Sequence, residues 1–94
     1  MATYILLGTL TDEGAQNLRA HLEWLNDVKQ NLEGTGVQVV AQYAVLGSYD
    51  LVFIVEAPDN RSVVRVSTQL TLNGSVKITT LPALPIEDFT ATLK

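Results

Sequence analysis

The feature that most constrains this chain is an apolar run at its centre, residues 51–55 (LVFIV). Side chains of a β-strand alternate between the two faces of a sheet. Leu51, Phe53 and Val55 then point to one face. Val52 and Ile54 point to the other. A strand with one face in water alternates apolar and polar residues, so this run predicts a sheet that is covered on both faces.

Apolar periodicity and turn residues divide the rest of the chain into short elements. The predicted order is a strand over 3–10, a helix that opens at 11–13 and stops at Gly34 and Gly36, strands over 37–46 and 50–57, a helix over 60–72, a strand over 75–81 and a short terminal helix. The tight turn at 47–49 makes the second and third strands an antiparallel hairpin.

Two segments do not follow directly from the apolar pattern and need a separate argument. Residues 60–72 suit a strand by β-branched content, but Val63, Val66 and Leu70 fall at helical spacing, which favours a helix. After residue 81, two prolines predict an irregular step. The terminal helix that follows is expected to dock one apolar stripe, formed by Ile86, Phe89 and Leu93.

The order strand, helix, strand, strand, helix, strand predicts an α+β, ferredoxin-like βαββαβ sandwich. Its four-stranded antiparallel sheet has two helices on one face, and strands one and three lie at the centre. The length of 94 residues is enough for one core, so residues 1–94 are expected to form a single domain.

Two helices cover only one face of such a sheet, which leaves the apolar residues of the other face in water. A surface of that kind usually marks an interface. We therefore expect a homo-oligomer, at least a dimer through the open sheet face. The alternative is a monomer whose C-terminal segment folds over the open face, but residues 83–94 are short for that task.

Four segments of the chain resemble the GYD domain family. They are Thr3 to Ala15, Gly47 to Val52, Ile54 to Asp59 and Thr80 to Ala83. The chain departs from common members at Ser48, where a basic residue is frequent, and at His21 and Trp24. The resemblance implies a ferredoxin-like fold of the dimeric α/β-barrel type, and it implies no activity.

Three residues are weak candidates for catalysis: His21, Tyr49 and Asp50. A lone histidine beside an apolar helix face is a possible general base, with Tyr49 as a donor and Asp50 as a base at a pocket mouth. The alternative is structural. In that case His21 is packed, Gly47 takes an unusual backbone conformation and Asp50 caps N–H groups of the turn.

The aromatic residues on or beside the predicted elements are candidates for binding a ligand. These are Tyr4, Trp24, Tyr43 and Tyr49, which are placed to line a cleft between sheet and helices. Packing in the core is the competing interpretation for each of them.

The composition argues against several kinds of binding site and partner. The chain has no cysteine and one histidine, so we expect no metal site of the usual zinc type, and no cofactor motif is present. The net charge of −4 disfavours nucleic acid. No signal-peptide pattern or long apolar run occurs, so we expect a cytoplasmic protein that does not bind membranes.

Two functional hypotheses follow from these features. The first is a small oligomeric protein without catalytic activity that binds a small ligand or a protein partner. The second is a cofactor-free enzyme, similar to a monooxygenase or an isomerase, that acts in an apolar cleft. They differ in whether the three catalytic candidates converge on one cavity.

Overall fold

The computed structural model describes residues 1–16, 28–32, 34–72, 74 and 76–94. Its strands are β1 (Ala2–Leu10), β2 (Gln38–Ala44), β3 (Leu51–Ala57) and β4 (Val76–Ala83). Its helices are α1 (Asp12–Gln16), α2 (Val28–Asn31), α3 (Asn60–Thr71) and α4 (Ile86–Ala91). α1 and α2 fall within the predicted first helix, and the residues between them lie outside the described part of the chain.

The four strands form one antiparallel sheet in the order β2-β3-β1-β4. β1 and β3 are central and β2 and β4 are edges, as the sequence predicts. The strand order and the positions of the helices confirm an α+β, ferredoxin-like fold with an additional C-terminal helix.

The hydrophobic core lies on one face of the sheet. The sheet and the residue before β2 contribute six residues to this core: Tyr4, Leu6, Val37, Phe53, Val55 and Ala57. The helices and the residues at their ends contribute five: Val28, Leu32, Val63, Val66 and Leu70. These side chains are almost completely removed from water. Residues around α2 and residues of α3 therefore pack on the same side of the sheet.

The segment that was ambiguous by propensity is a helix. Val63, Val66 and Leu70 are its buried residues, and their helical spacing is the pattern that favoured this assignment. The carboxylate of Asp59 caps the helix by accepting a hydrogen bond of 2.9 Å from the backbone N–H of Ser62. Burial of one apolar stripe and the cap together outweigh the strand propensity of its valines.

The predicted irregular step is present at residues 84–85, before the last helix, but the prediction that it begins at Pro82 is wrong. β4 continues through Pro82 to Ala83, and Pro82 pairs with Tyr4 of β1. β4 is an edge strand, and an edge strand accepts proline because one side of it needs no donor for a neighbouring strand. The sheet is consequently longer at this end than the prolines suggest.

The terminal helix forms as predicted, but no residue of the described part of the chain buries its apolar stripe. α4 has no buried residue. Ile86, Phe89 and Leu93 are 70%, 50% and 72% exposed. The helical spacing therefore predicted the stripe correctly. The prediction that the stripe docks is not met by any residue in the described part of the chain.

Candidate functional site

The open face of the sheet, which is the face opposite α3, carries two apolar rows that cross the strands. In the first row Ile54 of β3 pairs with Ala41 of β2 and with Ile5 of β1, and Ile5 pairs with Leu81 of β4. Residues paired across antiparallel strands share a face. This row is apolar across all four strands, and its last member, Leu81, is 41% exposed.

The second row lies two residues further along each strand, on the same face of the sheet. Val52 pairs with Tyr43 and with Leu7, and Leu7 pairs with Thr79. Tyr43 is 57% exposed, while Leu7 and Val52 are half-buried by their neighbours. The two rows together place large apolar side chains at the centre of a surface that no described segment covers.

Polar residues border the two rows at both ends of the strands. At one end Glu56 pairs with Gln38 and with Thr3. At the other end Thr9 pairs with Lys77. An apolar centre within a polar rim is the usual anatomy of a protein–protein interface.

A β-bulge at Val40 determines which residues of β2 reach the open face. Val39 pairs with Val55 on the helix side, but Ala41 pairs with Ile54, so the register shifts by one residue between them. A shift of one residue moves the following side chains to the other face. Tyr43 consequently lies on the open face instead of sharing a face with Val39.

The turn between β2 and β3 holds the Gly47, Tyr49 and Asp50 signature. Gly47 has φ of +119°, the left-handed region that favours glycine, which confirms the expected unusual conformation. Oδ2 of Asp50 accepts a hydrogen bond of 2.9 Å from the backbone N–H of Leu10. The Asp50 N–H donates to the carbonyl of Gly8 at 2.9 Å. Asp50 therefore joins the start of β3 to the end of β1.

A half-open cleft of about 210 Å³ lies at the other end of β1. It is lined by Tyr4, Asn60, Val63, Val64, Thr80 and Pro82. The hydroxyl of the buried Tyr4 donates a hydrogen bond of 2.6 Å to Oδ1 of Asn60. Asn60 was not among the predicted site residues, because no local pattern links it to a residue 56 positions earlier.

A second groove lies beside the start of α1. Its volume is about 460 Å³, and it is lined by Thr9, Leu10, Thr11, Asp12, Glu13, Gly74 and Lys77. Thr11 ties its two sides together, since its hydroxyl donates to the carbonyl of Gly74 at 2.7 Å and accepts from the N–H of Gly14 at 3.0 Å.

Two of the ligand-binding candidates, Tyr4 and Tyr43, do not share a cavity. Tyr4 faces α3, whereas Tyr43 lies on the opposite face of the sheet. Leu10, whose N–H contacts Asp50, follows Tyr4 by six residues in β1. At about 3.4 Å per residue the two positions lie about 20 Å apart. His21 and Trp24 lie outside the described residues, so their part of the prediction remains a prediction.

The described residues contain no cluster of histidine and acidic residues able to hold a metal ion. Among the same residues, no helix is long and apolar enough to cross a bilayer.

A ferredoxin-like sheet with helices on one face and an apolar open face defines the structural class of this protein. The chain belongs to the GYD domain family, since the family model for the GYD domain matches residues 4–93.

The chain is also similar to three proteins, one by sequence and two by structure. The chain is 52% identical over 95 residues, covering 100% of both chains, to a Thermus thermophilus protein named glutamine synthetase and cystathionine beta-lyase binding protein. It is 30% identical to TTHA0845 of Thermus thermophilus, whose crystal structure matches with a TM-score of 0.63 over 90% of this chain and 95% of that chain. FFRP-DM1 matches with a TM-score of 0.59 at 17% identity, over 89% of this chain and 100% of that chain, and it shows the fold alone.

Proposed function

We propose that this protein acts by binding other proteins and that its binding unit is a homodimer formed through the open sheet face. The observation that carries the proposal is the pair of apolar rows bordered by a polar rim. Burying a large aliphatic side chain stabilises an assembly by about 1.5–3 kcal/mol. Ile5, Leu7, Val52 and Ile54 are already half-buried in the single chain, so each contributes part of this amount from each copy.

The proposed partners come from the relative that shares 52% identity with this chain over its full length. That protein is named for binding glutamine synthetase and cystathionine β-lyase. We propose that this chain likewise binds enzymes, and these two are the first candidates. Since the dimer occupies the open face, the enzymes would contact the surfaces that remain outside it.

The hydrogen bonds of Asp50 and Tyr4 favour binding over catalysis, because they give both side chains a structural role. One carboxylate oxygen of Asp50 is engaged by the Leu10 N–H, and the Tyr4 hydroxyl is engaged by Asn60. Each of these contacts joins separate elements of the fold. The cleft beside Tyr4, at about 210 Å³, is smaller than the roughly 300–1,000 Å³ typical of ligand pockets. The groove beside α1 reaches about 460 Å³, but most of its lining residues are polar or charged, whereas ligand pockets are lined mostly by apolar side chains.

Binding can be tested directly with purified proteins. The chain is immobilised, and glutamine synthetase, cystathionine β-lyase and an unrelated enzyme of similar size are passed over it in a concentration series. Saturable binding of either candidate, without binding of the unrelated enzyme, is the expected result. No saturable binding to either candidate would contradict the proposed partners.

The same measurement separates partner binding from dimer formation. Ile54→Asp places a charge in the first apolar row and is expected to yield a monomer. Leu72→Asp is the matched control, because Leu72 is 76% exposed and lies at the end of α3, away from the open face. Loss of the dimer and of enzyme binding in Ile54→Asp, with the dimer retained in Leu72→Asp, would support the dimer as the binding unit.

A further inference from the structure

The half-open cleft beside Tyr4 lies on the helix side of the sheet, so a dimer formed through the open face leaves it accessible. Asn60 and Val64 line it from α3, and Thr80 and Pro82 line it from β4. Because Asn60 and Val64 are four positions apart, they lie on the same side of the helix. The cleft is therefore a gap between one side of α3 and the edge strand β4.

The volume of the cleft suits a single side chain. At about 210 Å³ it lies below the roughly 300–1,000 Å³ that whole small ligands occupy. A protein partner needs less room, since it inserts one side chain and leaves its backbone outside. Aromatic side chains that fill such pockets carry much of the binding free energy at protein interfaces.

One polar group that lines the cleft has hydrogen-bonding capacity left. The Tyr4 hydroxyl donates to Oδ1 of Asn60 at 2.6 Å, which leaves the Nδ2 group of Asn60 as a donor. Nδ2 makes no hydrogen bond within the described part of the chain. The Thr80 hydroxyl, by contrast, is paired with that of Ser67 at 2.7 Å. An occupant that reaches Asn60 therefore needs an acceptor.

The wall of the cleft on α3 is apolar from its interior to its rim. Val63 is buried, whereas Val64 is 60% exposed, and Pro82 lies on the opposite wall. A ring can pack between these two walls. An apolar ring with an oxygen acceptor at its tip fits both the walls and the free donor of Asn60, and tyrosine is the side chain that has this composition.

Arg61 and Arg65 place two positive charges beside the cleft. Each directly follows a lining residue in sequence, and both are exposed. α3 contains no acidic residue. Asp59 is the carboxylate whose pKa both arginines lower, and one carboxylate balances only one of the two charges. In a chain with a net charge of −4, this is a local basic surface, and it is complementary to carboxylates of a partner.

We propose that the cleft is an anchor pocket for a partner protein, which inserts one tyrosine side chain from a segment that also carries acidic residues. The inference rests on the proposed function and names the surface through which a partner enzyme binds. The tyrosine ring packs between Val64 and Pro82, and its hydroxyl oxygen accepts a hydrogen bond from Nδ2 of Asn60. The neighbouring carboxylates pair with Arg61 and Arg65.

The compound p-cresol, which has the structure of the tyrosine side chain, tests the pocket without a partner enzyme. Titration of the isotope-labelled chain is expected to shift the amide resonances of Asn60, Val64 and Thr80 in a saturable way. Benzyl alcohol, an isomer with the hydroxyl in another position, is expected to bind at least threefold more weakly. Val64→Trp fills the cleft and is expected to abolish the shifts. Leu72→Trp, a matched change at an exposed leucine at the end of α3, is expected to retain them.

The candidate enzymes provide the second measurement. Val64→Trp is expected to raise the dissociation constant of an enzyme that binds the wild-type chain at least tenfold, and Arg65→Glu at least fivefold. Lys94→Glu makes the same change of charge at the C-terminus and is expected to alter the constant less than twofold. Sedimentation velocity establishes that the variants keep the assembly state of the wild type.

The outcomes separate the anchor pocket from the proposed function. If an enzyme binds wild type, Val64→Trp and Arg65→Glu equally well, the pocket is overturned and the proposed function stands. If neither enzyme binds but p-cresol does, and Val64→Trp abolishes its binding, the named partners are overturned and the pocket stands. Absence of saturable p-cresol shifts at the cleft overturns the tyrosine anchor. Dissociation of the dimer in Val64→Trp also overturns it, because a second copy then occupies the cleft.

Discussion

The carboxylate of Asp50 accepts a hydrogen bond from the backbone N–H of Leu10, 40 positions earlier in the chain, at 2.9 Å. The Asp50 N–H donates to the carbonyl of Gly8 in the same strand. This residue therefore fixes the turn after β2 against the end of β1. The contact gives the aspartate of the Gly-x-Tyr-Asp signature a structural role that needs no substrate.

Asp50→Ala is expected to lower the free energy of unfolding by about 1–2 kcal/mol, because the Leu10 N–H loses its acceptor. Asp50→Asn retains a side-chain oxygen and is expected to restore part of the loss. Urea denaturation at neutral pH measures both variants. A wild-type midpoint for Asp50→Ala would contradict the structural role.

The hydroxyl of Tyr4 is expected to contribute to stability, whereas that of Tyr43 is not. Tyr4→Phe removes the hydrogen bond to Asn60 and should lower the free energy of unfolding by about 1 kcal/mol. Tyr43→Phe is the matched control, since this ring is exposed on the open face. Urea denaturation of the two variants in the Ile54→Asp background, which is expected to be monomeric and to keep the Tyr43 ring in water, makes the comparison. Equal losses in both variants would contradict the assigned contact.

Asp59 gives the stability a dependence on pH. Hydrogen bonds from the backbone and the side chain of Ser62 hold its pKa below the usual 3.8, and the charges of Arg61 and Arg65 add to this effect. A lowered pKa in the folded state stabilises the protein above the unfolded value and stops doing so as the pH falls through the folded value.

We therefore expect wild type to exceed Asp59→Asn in urea midpoint near neutral pH, and the difference to shrink below about pH 4. Asparagine also caps helices, so this comparison isolates the ionised carboxylate. Urea titrations at several pH values measure it. A difference that does not change with pH would contradict the assigned role of the charge.

Neighbouring residues of β3 are expected to respond differently to the same substitution. Phe53 lies in the core between sheet and helices, and Phe53→Asp should lower the free energy of unfolding by more than about 3 kcal/mol. Ile54 points to the open face, so Ile54→Asp should leave the fold intact and dissociate the dimer. Circular dichroism detects the first effect and sedimentation the second. Unfolding of Ile54→Asp together with a folded Phe53→Asp would reverse the assigned faces.

Several features of the fold could be predicted because short patterns determine them locally. The uninterrupted apolar run of β3 indicated a sheet with two apolar faces. The spacing of Val63, Val66 and Leu70 identified α3 against the strand propensity of its valines. The φ of Gly47 follows from turn chemistry, which depends on neighbouring residues alone.

Other features depend on contacts that no local pattern specifies. The bulge at Val40 moves Tyr43 to the open face, so strict alternation along β2 assigns the wrong side after Val39. The pairing of Tyr4 with Asn60 joins distant positions. Pro82 continues β4 because this strand lies at an edge, which is known only once the sheet order is known.

The sedimentation-equilibrium mass of the purified wild-type chain tests the central claim most directly. The proposed assembly through the open sheet face requires a mass of twice the 10.2 kDa of one chain, or a larger even multiple, at micromolar concentration. A mass of 10.2 kDa at every concentration tested would contradict it, since the apolar rows of the open face would then remain in water.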